Sequence, residues 1–182
     1  MDRIIATQRL SLRPCVRTDK SFLHALWTHP EVRKYLLDDI IIPPEQVDGF
    51  IAKSLGSFER HGAGLWTMSD IVSGELAGVC GLWPVDDTGE IEILYSILPA
   101  WWGKGLVHEA ARAVLEFGFE NAGLDRIIGR TDAPNTRSIR VLERLGMTFT
   151  GKQPGPVHSA MCYAIDQERF QQSADITGLP RP

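Results

Sequence analysis

The stretch from Glu90 to Gly123 constrains this chain more than any other. Glu90–Leu98 reads as the strongest strand in the sequence. Pro99-Ala100-Trp101-Trp102-Gly103-Lys104-Gly105 then breaks it. From there the period changes: Val107, Ala110, Ala111, Val114, Leu115, Gly118 and Ala122 recur at helical spacing, and Gly123 is placed as the C-cap. A buried strand that turns at Gly-x-Gly straight into a long amphipathic helix puts sheet and covering helix in one domain.

The flanking sequence extends this pattern. Residues 7–13 alternate and predict a half-buried strand that stops at Pro14. Asp19 is placed to cap a helix carrying Phe22, Leu23, Leu26 and Trp27, and a second helix starts at Pro43-Pro44-Glu45 and ends at His61-Gly62. Leu65–Ser69 and Leu76–Leu82 read as strands around a Ser73-Gly74-Glu75 turn. A turn at Asp86–Gly89 leads into Glu90–Leu98, so three successive strands form an antiparallel meander. Downstream come a strand at Arg126–Thr131, a short helix capped by Asn135 and closed by Gly146, and two strands around Phe149 and Met161–Ile165. The order is β-αα-βββ-α-β-α-ββ: one mixed α/β domain over residues 1–170, with a frayed polar tail over 171–182.

Composition narrows the function. At 182 residues, 43% hydrophobic and 23% charged, the chain is neither disordered nor fibrous. Its net charge of −4 argues against a general nucleic-acid binder and favours a cationic partner. Cys15, Cys80 and Cys162 are too few and too far apart for a disulfide framework, and the five histidines supply no metal-ligand set. No run is long and apolar enough for a membrane span, and Met1–Ala6 is not a signal peptide, so the expectation is a cytoplasmic protein without a membrane partner.

Gly103-Lys104-Gly105 opening a helix suits an anion, because the first helical turn offers free N–H donors and a partial positive charge. The segment fails the P-loop test, since Gly follows Lys104, and it lacks the third glycine of a dinucleotide fingerprint. A tight structural turn accounts for Gly-x-Gly alone. The wider pattern is more specific. Tyr95-Ser-Ile-Leu-Pro-Ala-Trp-Trp-Gly-Lys-Gly-Leu-Val-His-Glu-Ala111 resembles the acetyl-CoA-binding segment of the GNAT acetyltransferases, in the branch holding the ribosomal-protein N-terminal acetyltransferases. Thr7–Pro14, His29–Tyr35 and Asn135-Thr-Arg-Ser138 with Leu142–Gly146 are similar to further segments of that branch, in the same order. Two positions depart from the pattern: Val107 is bulky near the expected pyrophosphate, and Leu94 stands where a glycine is common.

The resemblance implies a mostly antiparallel sheet flanked by helices, in which two central strands splay and admit the pantetheine arm. It implies that Ile97 and Leu98 pair with that arm through their backbones. The loop Trp102, Gly103, Lys104, Gly105, Leu106 and Val107 would hold the pyrophosphate, with Asn135 and Ser138 facing the cosubstrate and Arg137 or Arg140 meeting its phosphates. The implied reaction is direct acetyl transfer from acetyl-CoA to an amine, without a metal. Glu92 is the expected base, with Glu90 as its alternative on the same face. Ser138 or Tyr163 is expected to assist the leaving thiolate. The resemblance to that branch favours a protein N-terminus as acceptor, and such an α-amine, with a pKa of about 7.7–8.0, is substantially neutral where a lysine is not, so it needs only modest base assistance. A small-molecule amine is the other candidate. A catalytically weak CoA-binding module acting through a partner is the alternative, suggested by Val107 and Leu94. A homodimer through the late strands is compatible with the sequence but not demanded by it.

Overall fold

The computed structural model describes residues 3–85 and 88–176. Its frame is an eight-stranded sheet in the order β1-β2-β3-β4-β5-β6-β8-β7. The strands are β1 (Ile5–Ala6), β2 (Leu10–Pro14), β3 (Leu65–Asp70), β4 (Leu76–Pro84), β5 (Ile91–Ile97), β6 (Arg126–Asp132), β7 (Thr148–Gln153) and β8 (Ala160–Asp166). All neighbours are antiparallel except β5 and β6. The expected mixed fold and meander are therefore present. Asp86 and Asp87 of the expected turn before β5 lie outside the described residues.

Helices cover both faces. On one side lie α1 (Lys20–Thr28) and α3 (Pro44–His61), whose apolar stripes bury Leu23, Leu26, Val47 and Ile51 against Leu65 and Val79 of the sheet. Between them is α2 (Pro30–Arg33), a single turn that the sequence reading did not separate. The other side carries α4 (Leu106–Glu120) and α5 (Thr136–Arg144), with Ala110, Ala111, Val114 and Leu115 of α4 packed over Leu82, Ile93 and Ile127. Alternation decides which strand residue meets which layer: Ile91, Ile93, Tyr95 and Ile97 face α4, while Leu94 joins the α1–α3 side.

The last helix, α6 (Gln167–Ile176), enters the stretch read as tail, which is thus helical to Ile176; residues 177–182 lie outside the described residues. Its apolar signal is thin because one ring does most of the docking: Phe170 packs on Phe119 with centroids 5.3 Å apart. Polar anchors complete it. Asp166 accepts from the Arg169 N–H at 2.8 Å, and the Arg169 side chain donates to the Gly146 carbonyl at 2.7 Å.

Among the described residues no helix is long and apolar enough to cross a membrane.

Candidate active site

The site begins with a missing pairing. β4 and β5 are in register from Gly78↔Ile97 to Pro84↔Ile91, and β6 and β8 from Arg126↔Asp166 to Asp132↔Ala160. Between β5 and β6 the register holds a single bridge, Glu92↔Ile128, so the strands part toward their C-terminal ends. Backbone direction follows from parity. Leu98 donates to Ala77, and Glu90 accepts from Val85, so even-numbered residues of β5 bond toward β4. Odd-numbered Tyr95 and Ile97 therefore turn their N–H and C=O groups to the gap. Trp102 already caps one of these, its indole N–H donating to the Ile97 carbonyl at 2.9 Å. Leu98 corrects the sequence expectation: its N–H belongs to β4, and Ile97 and Tyr95 are the residues that face the gap.

A cationic corner closes one end. Gly103 and Gly105 both adopt φ near +75°, with only the Arg9 guanidinium within 4 Å of a Cβ built on either, and Gly105 leads directly into α4. This conformation favours glycine and leaves the loop's outer face clear for close approach. Arg9 donates to the Lys104 carbonyl at 2.8 Å and pairs with Glu109 at 2.6 Å. Glu109 also accepts from the Thr7 hydroxyl and the Arg9 N–H. Burial pushes its carboxyl up, but these hydrogen bonds outweigh it and hold the pKa below the usual range. A carboxylate in the first turn of α4 would repel a phosphate; here it is tied to Arg9 instead. Lys104 stacks on Trp101 at 4.6 Å and Arg137 on Trp102 at 4.4 Å, so two aromatic–cation pairs border the same loop. Val107 is half-buried against the α4 core.

Across the gap, Asn135 caps α5 by accepting from the Ser138 N–H at 3.3 Å. Ser138 Oγ lies 2.8 Å from the Tyr95 hydroxyl, which also reaches the Ser138 carbonyl at 3.3 Å. Burial drives the Tyr95 pKa far above the ordinary phenol range, so the hydroxyl keeps its proton. Sequence reading had placed Tyr163 as the alternative to Ser138. The structure seats Tyr163 opposite Gly129, edge-on to Phe149 with centroids 5.6 Å apart, with burial and then Glu143 raising its pKa. The tyrosine joined to Ser138 is Tyr95.

The α1–α3 face borders the other side of β5. Glu92, only 6% exposed, forms a two-point pair with Arg130 on β6, at 3.1 and 2.6 Å. Glu90 instead lines a hollow at the closed end of the gap, with Gly123 and Arg126. Beside Ser96 opens a cavity of about 180 Å³, walled by Trp27, Phe50, Trp83, Leu36, Leu37 and Leu94. The Trp27 indole donates to Ser96 Oγ at 3.1 Å. Burial raises all three thiols, Cys15 to about 12, which leaves them poor nucleophiles.

Sequence reasoning missed Arg9, Tyr95 and Arg130. Arg9 and Tyr95 both lay within quoted segments, but their roles depend on partners 100 and 43 residues away. The whole arrangement suits an extended polar chain in the gap, with its diphosphate on the Gly103–Gly105 N–H groups and the surrounding cations.

Comparison with known proteins agrees with this geometry. Residues 9–148 match a family described as "Acetyltransferase (GNAT) domain". The chain is 30% identical over 149 residues to "Uncharacterized protein YkkB" of Bacillus subtilis, covering 80% of this chain and 86% of that protein. A GNAT-family acetyltransferase structure from Bacillus anthracis superposes with a TM-score of 0.76 at 27% identity, covering 91% of this chain and 99% of that one. The ribosomal L7/L12 α-N-protein acetyltransferase RimL, solved with coenzyme A, superposes with a TM-score of 0.77 at 18% identity, over 90% and 98% of the two chains.

Proposed function

This chain belongs to the GNAT acetyltransferase family, and on that premise we propose that it moves the acetyl group of acetyl-CoA directly to a primary amine, a protein N-terminus being the favoured acceptor. The observation that carries the reading is the parting of β5 and β6 after one bridge, with Gly103–Gly105 at one edge and Ser138 at the other.

Acetyl-CoA supplies an activated acetyl thioester, so the amine nitrogen forms the new C–N bond as the C–S bond breaks. Tyr95 and Ile97 bind the extended arm through their backbones, and the Ile97 N–H is the donor aimed at the thioester oxygen. The loop from Trp102 to Val107, with Arg9, Lys104 and Arg137, holds the diphosphate. Asn135 uses its free amide N–H₂ on the arm while its oxygen caps α5. Glu92, oriented by Arg130, accepts the amine proton through one water. Ser138, backed by Tyr95, donates to the departing sulfur.

Thermal unfolding with and without acetyl-CoA tests the reading. Saturation at about 100 times Kd stabilises by about 2.7 kcal/mol, which for a chain of this size raises Tm by about 5–10 °C. Amine-dependent release of free thiol is the second expected signal. No shift at millimolar acetyl-CoA would overturn the assignment.

A further inference from the structure

We propose that the amine acetylated by this protein is carried on an apolar group the size of one aromatic ring, seated in the cavity between α1, α3 and β5. The inference rests on the acetyl-transfer reading and names the substrate class for that site. The shared chemistry is a primary amine one or two carbons from an aryl or branched alkyl group, whether a free arylalkylamine or the first residue of a peptide.

Location comes first. Tyr95 and Ser96 line the cavity, and they belong to the segment of β5 that borders the gap. A group held there therefore presents its amine beside the strand edge where the acetyl group arrives. The walls then exclude polar occupants. Trp27 meets Phe50 edge-on at 5.5 Å, and Phe50 meets Trp83 at 6.1 Å, giving a continuous aromatic side opposite Leu36, Leu37 and Leu94. Of the polar side chains that β5 contributes, Tyr95 turns its hydroxyl to Ser138 and Ser96 Oγ already receives the Trp27 N–H. An ammonium or hydroxyl pushed inside would exchange its water for few polar partners. Lys53 adds a positive charge over the Trp83 ring at 5.0 Å, which disfavours a polycation further.

Size agrees. The volume is about 180 Å³, and a cavity of about 150 Å³ lined by apolar side chains takes up benzene. No carboxylate is among the described residues that line the cavity. Burial, and then the charge of Asp38, push the Asp132 carboxyl at the end of β6 up, while His158 pulls it down. Asp38 follows Leu37 in a turn where Leu37, Asp38 and Asp39 have φ of 51°, 56° and 59°. Three successive non-glycine residues in left-handed backbone form a costly conformation, and this one places Leu37 in the cavity wall and Asp38 next to it. The result fits an apolar body bearing one cationic amine.

Acetyl transfer measured for 2-phenylethylamine, isoamylamine, ethylamine and spermidine, and for Phe-Gly-Gly against Ser-Gly-Gly, tests this. The expected kcat/KM for 2-phenylethylamine exceeds that for ethylamine and spermidine by about 100-fold, in line with discrimination by apolar pockets. The free-amine and peptide arms separate the two sources. Phe50→Ala is expected to cut the preference by about tenfold, and Phe50→Leu to restore part of it. Faster use of spermidine or Ser-Gly-Gly overturns the inference and leaves acetyl transfer standing. Preference for hexanoyl-CoA over acetyl-CoA with ethylamine overturns it too, because the cavity would then house the acyl chain. If no amine turns over, saturable quenching of tryptophan fluorescence by 2-phenylethylamine in the CoA-saturated protein supports it, and no quenching at millimolar amine overturns it. Loss of the acetyl-CoA melting shift is the separate outcome that removes both readings.

Discussion

Replacing Tyr95 with Phe and Ser138 with Ala, singly and together, dissects the hydroxyl pair that spans the gap. The two oxygens are 2.8 Å apart. Either hydroxyl can donate across this pair; with Tyr95 donating, the Ser138 proton is left for the departing sulfur. A hydrogen bond to a charged group contributes about 1.5–3 kcal/mol. At 1.36 kcal/mol per decade, Ser138→Ala is expected to lower kcat by about 13- to 160-fold. Tyr95→Phe removes a neutral hydrogen bond, worth about 0.5–1.5 kcal/mol of stability, or about 1–6 °C in Tm at this size. Its rate loss is expected to be smaller, because Ser138 still reaches the sulfur. The double variant should be no slower than Ser138→Ala, since both changes act on one donor. The assay is thiol release at saturating acetyl-CoA, with the acetyl-CoA melting shift as a check that the site still forms. A Ser138→Ala enzyme within about threefold of the parent, or rate losses that multiply in the double variant, would refute the relay.

Two further outcomes are expected. Glu92→Gln should lower turnover by about 100-fold; turnover within about threefold of the parent would show that another group takes the proton. Asp19, 4% exposed, anchors the start of α1 by accepting from Arg13 at 2.8 and 2.7 Å, from the Val16 N–H and from the Thr67 hydroxyl. Burial pushes its pKa up, but these bonds outweigh it and the net shift is downward. The stabilisation is therefore present above the unfolded carboxylate pKa near about 3.9, and is lost as pH falls through the lower folded value. Asp19→Asn should cost about 2–3 kcal/mol at pH 7, with the gap closing in acid; melting curves that stay equally separated from pH 7 to pH 3 contradict this.

Periodicity sufficed wherever an element buries a regular face. The α4 stripe, the Asn135 cap and the β3–β5 meander were all legible because each is a local pattern with its own stop signal. The failures share a cause. α6 is held by one ring and two polar anchors rather than by a stripe, and β1 is two residues long and recognisable by its partner Leu12. Within the site, the Gly103–Gly105 loop could be located from the chain alone, whereas the pairs Arg9–Glu109, Tyr95–Ser138 and Glu92–Arg130 could not. Each joins residues brought together only by sheet order. The direction of Leu98 was equally hidden, because strand parity is set by the neighbour and not by the strand itself.

The lone bridge between Glu92 and Ile128 has a mechanical meaning for the whole molecule. It leaves the sheet as a five-strand panel and a three-strand panel whose backbones are paired at one bridge. Side chains make the rest of the join, with α4 over Leu82, Ile93 and Ile127 and the pairs Glu92–Arg130 and Tyr95–Ser138, so amide exchange in the free protein should be least protected along the facing edges of β5 and β6. Whatever fills the seam couples them, and the stabilisation it brings is spread across both panels instead of staying at the contact. Occupancy of the gap is then readable far from it, as slowed exchange in β7 and β8, without any movement of the strands.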